Sequence, residues 1–113
     1  MEQRNLKTMD IKILNYGKDL NATNDNVDVE VSLDNGERYT ATFFTIENIT
    51  SILAKYKETK ECCSGLYFWA SDMIVVDKLD DDVIKQTIQD LIKTEELDRA
   101  FSLLDNEKTS TTF

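Results

Sequence analysis

Val27, Val29, Val31 and Leu33 alternate with Asp28, Glu30 and Ser32; after Asn35-Gly36, Tyr39, Ala41 and Phe43 alternate with Arg38, Thr40 and Thr42. No other stretch constrains the fold so tightly. A period of two puts the valines on one face of a strand and the carboxylates on the other. Asn and Gly both tolerate the positive φ of a two-residue hairpin turn, so residues 27–44 are predicted to form a β-hairpin. Its apolar face must be covered by something else in the chain.

The covering elements are legible on either side. Met9, Ile11 and Ile13 alternate with Asp10 and Lys12 and predict a half-buried strand. Residues 17–26, rich in Asn, Asp and Gly, read as a loop. Thr45 is placed to cap a helix whose apolar positions are Ile46, Ile49, Ile52, Leu53 and Tyr56, ending near residues 57–60. Met73-Ile74-Val75-Val76 is a β-branched run suited to a buried central strand; whether residues 66–76 form one bent strand or two stays open. Asp80 is placed to cap a second helix, with Leu79 and Ile84 spaced as a hydrophobic staple and Ile84, Ile88, Leu91 and Ile92 as its buried stripe. Thr94 opens a further helical turn carrying Leu97, Ala100, Phe101 and Leu104. The expected fold is α+β: one two-layer domain, an antiparallel sheet of about four to five strands against two to three helices. The domain should span 9–105, with a loose N-terminus at 1–8 and a flexible tail at 106–113.

A length of 113 residues suits a single core. No apolar run approaches the roughly 20 residues needed to cross a bilayer, and the N-terminus lacks the basic-then-apolar order of a secretory signal, so the expected location is cytoplasmic. The adjacent Cys62 and Cys63, with no second pair and no His, are expected to be plain reduced thiols, with no metal.

Charge narrows the function classes. Twenty-two acidic side chains face thirteen basic ones, a formal net charge of −9, and the chain has no histidine. Residues 21–47 hold six acidic side chains and one basic, and residues 71–113 hold eleven and five. Such a field repels nucleic acid and anionic membrane and attracts basic surfaces. Without imidazole there is no Ser/His or Cys/His pair, and Gly17, Gly36 and Gly65 are too far apart to make a phosphate-cradling loop. Asp80-Asp81-Asp82 reads as a solvated helix start rather than a site, since a calcium loop needs alternating oxygen ligands and a glycine turn. No catalytic residue, cofactor or metal is therefore expected, and binding of a basic protein is.

The stretch Tyr67-Phe68-Trp69-Ala70-Ser71-Asp72-Met73-Ile74-Val75-Val76, set between the acidic Asn-Gly hairpin and two helices, resembles small bacterial α+β immunity proteins of polymorphic, contact-dependent toxin systems. The likeness covers about residues 9–105. It implies a cytoplasmic inhibitor, not an enzyme, that binds the C-terminal nuclease domain of a toxin and blocks its active site.

Electrostatics supports that picture separately. Nucleases are basic because they hold a phosphate backbone, and an acidic inhibitor is steered onto them. Asp28, Glu30 and Asp34 of the hairpin, together with Asp72, are the expected partner-binding carboxylates, and Trp69 the aromatic anchor. If Phe68 points inward, alternation turns Tyr67 and Trp69 outward, or the reverse. The competing reading is a small acidic adaptor or regulatory domain that self-associates through a sheet edge; a monomer is favoured. A carboxylate- or metal-dependent enzyme has no specific feature behind it.

Overall fold

The computed structural model describes residues 8–104. The expected loose ends lie outside that range except Thr8, which opens the first strand. Five strands and four helical segments follow in the order β1 (Thr8–Leu14), β2 (Asn26–Leu33), β3 (Arg38–Thr45), α1 (Ile46–Thr59), α2 (Glu61–Gly65), β4 (Met73–Val76), α3 (Asp81–Lys93), α4 (Leu97–Ala100) and β5 (Ser102–Leu104). The domain is α+β, as expected.

The hairpin is the centre of the sheet. β2 and β3 pair antiparallel with Val27 opposite Phe43, Val29 opposite Ala41 and Val31 opposite Tyr39. All six of these side chains are buried. The turn differs from the two-residue form. Leu33 N–H donates to the Glu37 carbonyl at 2.9 Å, leaving three connecting residues, and of Asn35 and Gly36 only Gly36 has positive φ, at 91°. Asn35 instead accepts the Glu37 N–H on its side-chain oxygen at 3.0 Å. A glycine in the left-handed region after a tight turn is the usual three-residue solution, and it preserves the register.

β1 lies antiparallel on the outer side of β2, with Ile11 opposite Val31 and Ile13 opposite Val29. On the other side, β3 shares its edge between two strands. β4 runs parallel to its C-terminal half, Thr42 opposite Met73 and Thr45 opposite Val76. β5 runs antiparallel to its N-terminal half, Arg38 opposite Leu104. The sheet is therefore antiparallel except at β3–β4. That exception follows from connectivity, because α1 carries the chain back between two neighbouring strands and so makes them parallel.

α3 and α4 close the valine face. Asp80 caps α3, its carboxylate accepting the Val83 N–H at 2.9 Å, a bond typical of caps that contribute about 1 kcal/mol. Leu79 and Ile84 both enter the core, as a staple requires, and Ile84 and Ile88 are fully buried. Phe101 meets Phe43 edge-on with centroids 6.0 Å apart. Thr94 does not open a new helix. It ends α3, α4 starts at Leu97 after Glu96, and Leu104 belongs to β5 rather than to a helix. Phe101 ends α4 in extended conformation, and the chain can then pair with the free part of the β3 edge.

On the opposite face a smaller cluster forms. Phe44 projects away from the main core and stacks edge-on against Phe68 at 5.4 Å, and Phe68 in turn faces Tyr56 of α1 at 6.3 Å. Thr45, fully buried, accepts the Asn48 N–H at 3.1 Å and so starts α1 where its sequence predicts. Side-chain amides of the 17–26 loop tie it to α1: Asn26 donates to Asn48 at 2.8 Å. Among the described residues no helix is long and apolar enough to cross a membrane.

Candidate partner-binding surface

With α3 and α4 on one face, the other face of the sheet keeps the alternate side chains of the strands. Register sets them in rows: Lys12, Glu30, Thr40 and Ser102 in one, Leu14, Asp28, Thr42 and Met73 in the next. The expected residues divide sharply on this surface.

Asp28 and Asp72 are brought together by Thr42. The Thr42 hydroxyl donates to the Asp28 carboxylate at 2.7 Å, and the Thr42 N–H donates to the Asp72 carbonyl at 3.0 Å. Asp72 also accepts the Ser102 hydroxyl on its carboxylate at 2.8 Å, at the point where β4 and β5 diverge along β3. Its backbone sits in the left-handed region, φ 51°, which re-aims the chain between the aromatic loop and β4. Two carboxylates flank one strand, each accepting a neutral hydroxyl, and no cation pairs with either among the described residues.

Glu30 is different. Lys12 lies directly opposite it and the Arg38 guanidinium stands 3.9 Å from its carboxylate, so cations of the protein itself compete with a partner for it. Asp34 is exposed at the hairpin tip, six residues along from Asp28, or about 20 Å at strand rise, and does not join the group.

Trp69 stands in the loop that leads into Asp72, three residues before it. Phe68 is the inward-facing member of its triplet, so Tyr67 and Trp69 turn outward, 49 % and 69 % exposed. Leu66 beside them is also exposed. These residues reach the surface through an unusual backbone. Cys62, Cys63 and Ser64 all have φ between 51° and 56°, a left-handed turn that α2 consists of. Both cysteines are free, Cys62 half-buried and Cys63 exposed.

β4 corrects the expectation of a buried central strand. Among the described residues it pairs only with β3 and forms a sheet edge. Ile74 and Val76 face the core, whereas Val75 is 51 % exposed on the open face. A sequence signal existed: Asp72 and Asp77 bracket only four apolar residues, the short, charge-flanked form that edge strands take.

A second acidic feature lies at the turn end of the hairpin. A cleft of about 230 Å³ runs between β3 and the α3–α4 junction, floored by Leu33, Tyr39, Ile92 and Leu97 and rimmed by Glu37, Glu95 and Asp98. Glu37 there accepts both the Tyr39 hydroxyl and the Asn35 amide at 3.1 Å. Among the described residues no three His, Cys, Asp or Glu side chains are grouped so as to hold a metal ion.

Among the described residues the surface therefore offers exposed aromatics, two carboxylates without an ion pair and an unpaired strand edge. Comparison with protein-family models, with curated proteins and with solved structures gives no match, so this surface is read from its chemistry alone.

Proposed function

We propose that this chain is a non-enzymatic binding module that captures a basic protein domain, acting as an immunity protein that neutralises a toxin, with a nuclease as the favoured target. The observation that carries the reading is the pairing of Asp28 with Asp72 across Thr42, with Tyr67 and Trp69 turned outward in the loop that leads to Asp72. Aromatic anchors beside fixed carboxylates are the composition of an interface hot spot, and a −9 field steers a cationic partner toward it. Association with a basic nuclease would approach roughly 10⁸ M⁻¹s⁻¹ at low salt. The target acts inside the cell, which places the inhibitor in the cytoplasm. A net negative surface also disfavours nucleic acid and anionic membrane as direct ligands.

The test is co-expression with the C-terminal domain of a large secreted protein whose gene adjoins this one, followed by pull-down and stopped-flow binding. The on-rate should fall steeply from low to physiological salt, and Asp28→Asn with Asp72→Asn should lower it further. Cells that survive the toxin domain equally well without this chain would end the proposal. The adaptor reading draws on one specific observation, the unpaired β4 edge. Sedimentation across concentrations separates the two readings, since a self-associating adaptor gives a mass that rises with concentration.

A further inference from the structure

We infer that the outer edge of β4 is a strand-addition site that accepts an extended segment of the basic partner, with Lys or Arg five residues apart bracketing about four strand-forming residues. The inference rests on the binding reading above and specifies how the partner is held.

The ladder geometry comes first. In the parallel β3–β4 pair, Thr42 lies opposite Met73 and its N–H bonds to the Asp72 carbonyl. That pattern directs the backbone groups of Ile74 inward to β3 and leaves those of Met73 and Val75 pointing out. Among the described residues nothing pairs with them. The outward-pointing residues carry their side chains on the open face, where Val75 is 51 % exposed, and the exposed Leu66, Tyr67 and Trp69 stand in the loop that leads into this edge. Main-chain hydrogen bonds would supply affinity and these side chains the apolar contact.

Charge selects the occupant. Asp72 and Asp77 stand at the two ends of Met73–Val76. A second copy pairing antiparallel must set outward-pointing residues opposite one another, Met73 against Val75 or Val75 against Val75. What disfavours a second copy is the net −9 that each brings, with Asp72 and Asp77 at the two ends of this edge. A heterologous segment with cationic residues at both ends removes the conflict and gains two ion pairs.

The experiment uses the whole chain and synthetic peptides. Lys-Val-Thr-Val-Ile-Lys is titrated by nuclear magnetic resonance alongside a version with Glu at both ends and a version N-methylated at alternate residues. Binding of the Lys peptide should slow hydrogen exchange at the Met73 and Val75 amides, and the Glu peptide should bind at least tenfold more weakly. N-methylation, which removes the peptide's donors without touching the protein, should cost about tenfold or more. Val75→Pro should do the same while leaving the urea midpoint nearly unchanged, because Val75 N–H serves no bond to β3. Lys-peptide binding with Met73 and Val75 unprotected and N-methylation without effect would overturn strand addition and leave the charge reading standing. Equal behaviour of Lys and Glu peptides would overturn the charge complementarity on which both depend. A concentration-dependent dimer abolished by Val75→Pro would overturn the assignment by giving the edge to a second copy.

Discussion

In the hairpin, residues 27–44, local preference and tertiary packing agree at every step: alternation matches the strand period, Gly36 takes the one positive φ of the turn, and the valine face meets α3. Between Lys60 and Val76 they disagree. Lys60, Cys62, Cys63, Ser64 and Asp72 all hold positive φ without being glycine, at a cost of about 1–2 kcal/mol each, and three large side chains, Leu66, Tyr67 and Trp69, face water. The hairpin stabilises the fold; the later segment draws on that stability to hold an unfavourable shape. Its anchors are few: Gly65 pressed on α1, Phe68 between Phe44 and Tyr56, and the Lys60 N–H closing α1 on the Tyr56 carbonyl at 2.7 Å. Strain concentrated beside exposed aromatics is where a binding surface is expected.

The largest effect should come from the favourable half. Phe43 is fully buried at the crossing of β2, β4 and Phe101, so Phe43→Ala should cost about 3–5 kcal/mol in equilibrium urea unfolding with the denaturant slope unchanged. A loss below about 1 kcal/mol would mean that the hairpin does not carry the stability assigned to it.

A single substitution made in both halves sharpens the contrast. Gly36 and Gly65 have φ of 91° and 79°, so alanine is strained at each. At Gly36 a Cβ meets nothing within 4 Å, and Gly36→Ala should cost only the backbone term, about 1–2 kcal/mol. At Gly65 it would stand 2.6 Å from the Leu53 carbonyl oxygen and 2.9 Å from the Lys57 nitrogen, both backbone. Gly65→Ala should therefore add a packing cost, reaching about 3 kcal/mol or more. Thermal melts of the two variants side by side decide it, and equal shifts would remove the claim that α2 is wedged against α1.

The same contrast explains which parts were legible in the amino-acid order. The hairpin, the Thr45 and Asp80 caps and the Leu79–Ile84 staple are local chemistry, written within a few residues, and each occurs where the spacing places it. β5 was not legible because Leu97, Ala100, Phe101 and Leu104 keep helical spacing, and only the free part of the β3 edge turns Ser102–Leu104 into a strand. The left-handed turn at 62–64 carries no glycine or asparagine to announce it. At the proposed binding surface, alternation set Trp69 on the side opposite Phe68, and only the packing of Phe68 on Phe44 decides which side faces out. The pairing of Asp28 with Asp72 through Thr42, the ion pair of Glu30 with Arg38 beside Lys12, and the edge position of β4 all depend on register between distant strands.

The smallest expected change in stability belongs to Trp69, and it discriminates most finely between the two halves. The side chain is 69 % exposed, and no ring contact with it appears among the described residues, where Phe68 takes the packing role in that loop. Trp69→Ala should shift unfolding by no more than about 0.5 kcal/mol, the range of ordinary surface substitutions. Against the partner domain it should behave as a hot spot, with a loss of about 2 kcal/mol, or roughly thirtyfold in Kd, expressed mainly in the off-rate. Comparing the urea midpoint with the dissociation rate of the same variant separates the roles. A fall in stability as large as the fall in affinity would make Trp69 a packing residue, and the division between a supporting hairpin and a strained, partner-facing loop would lose its basis.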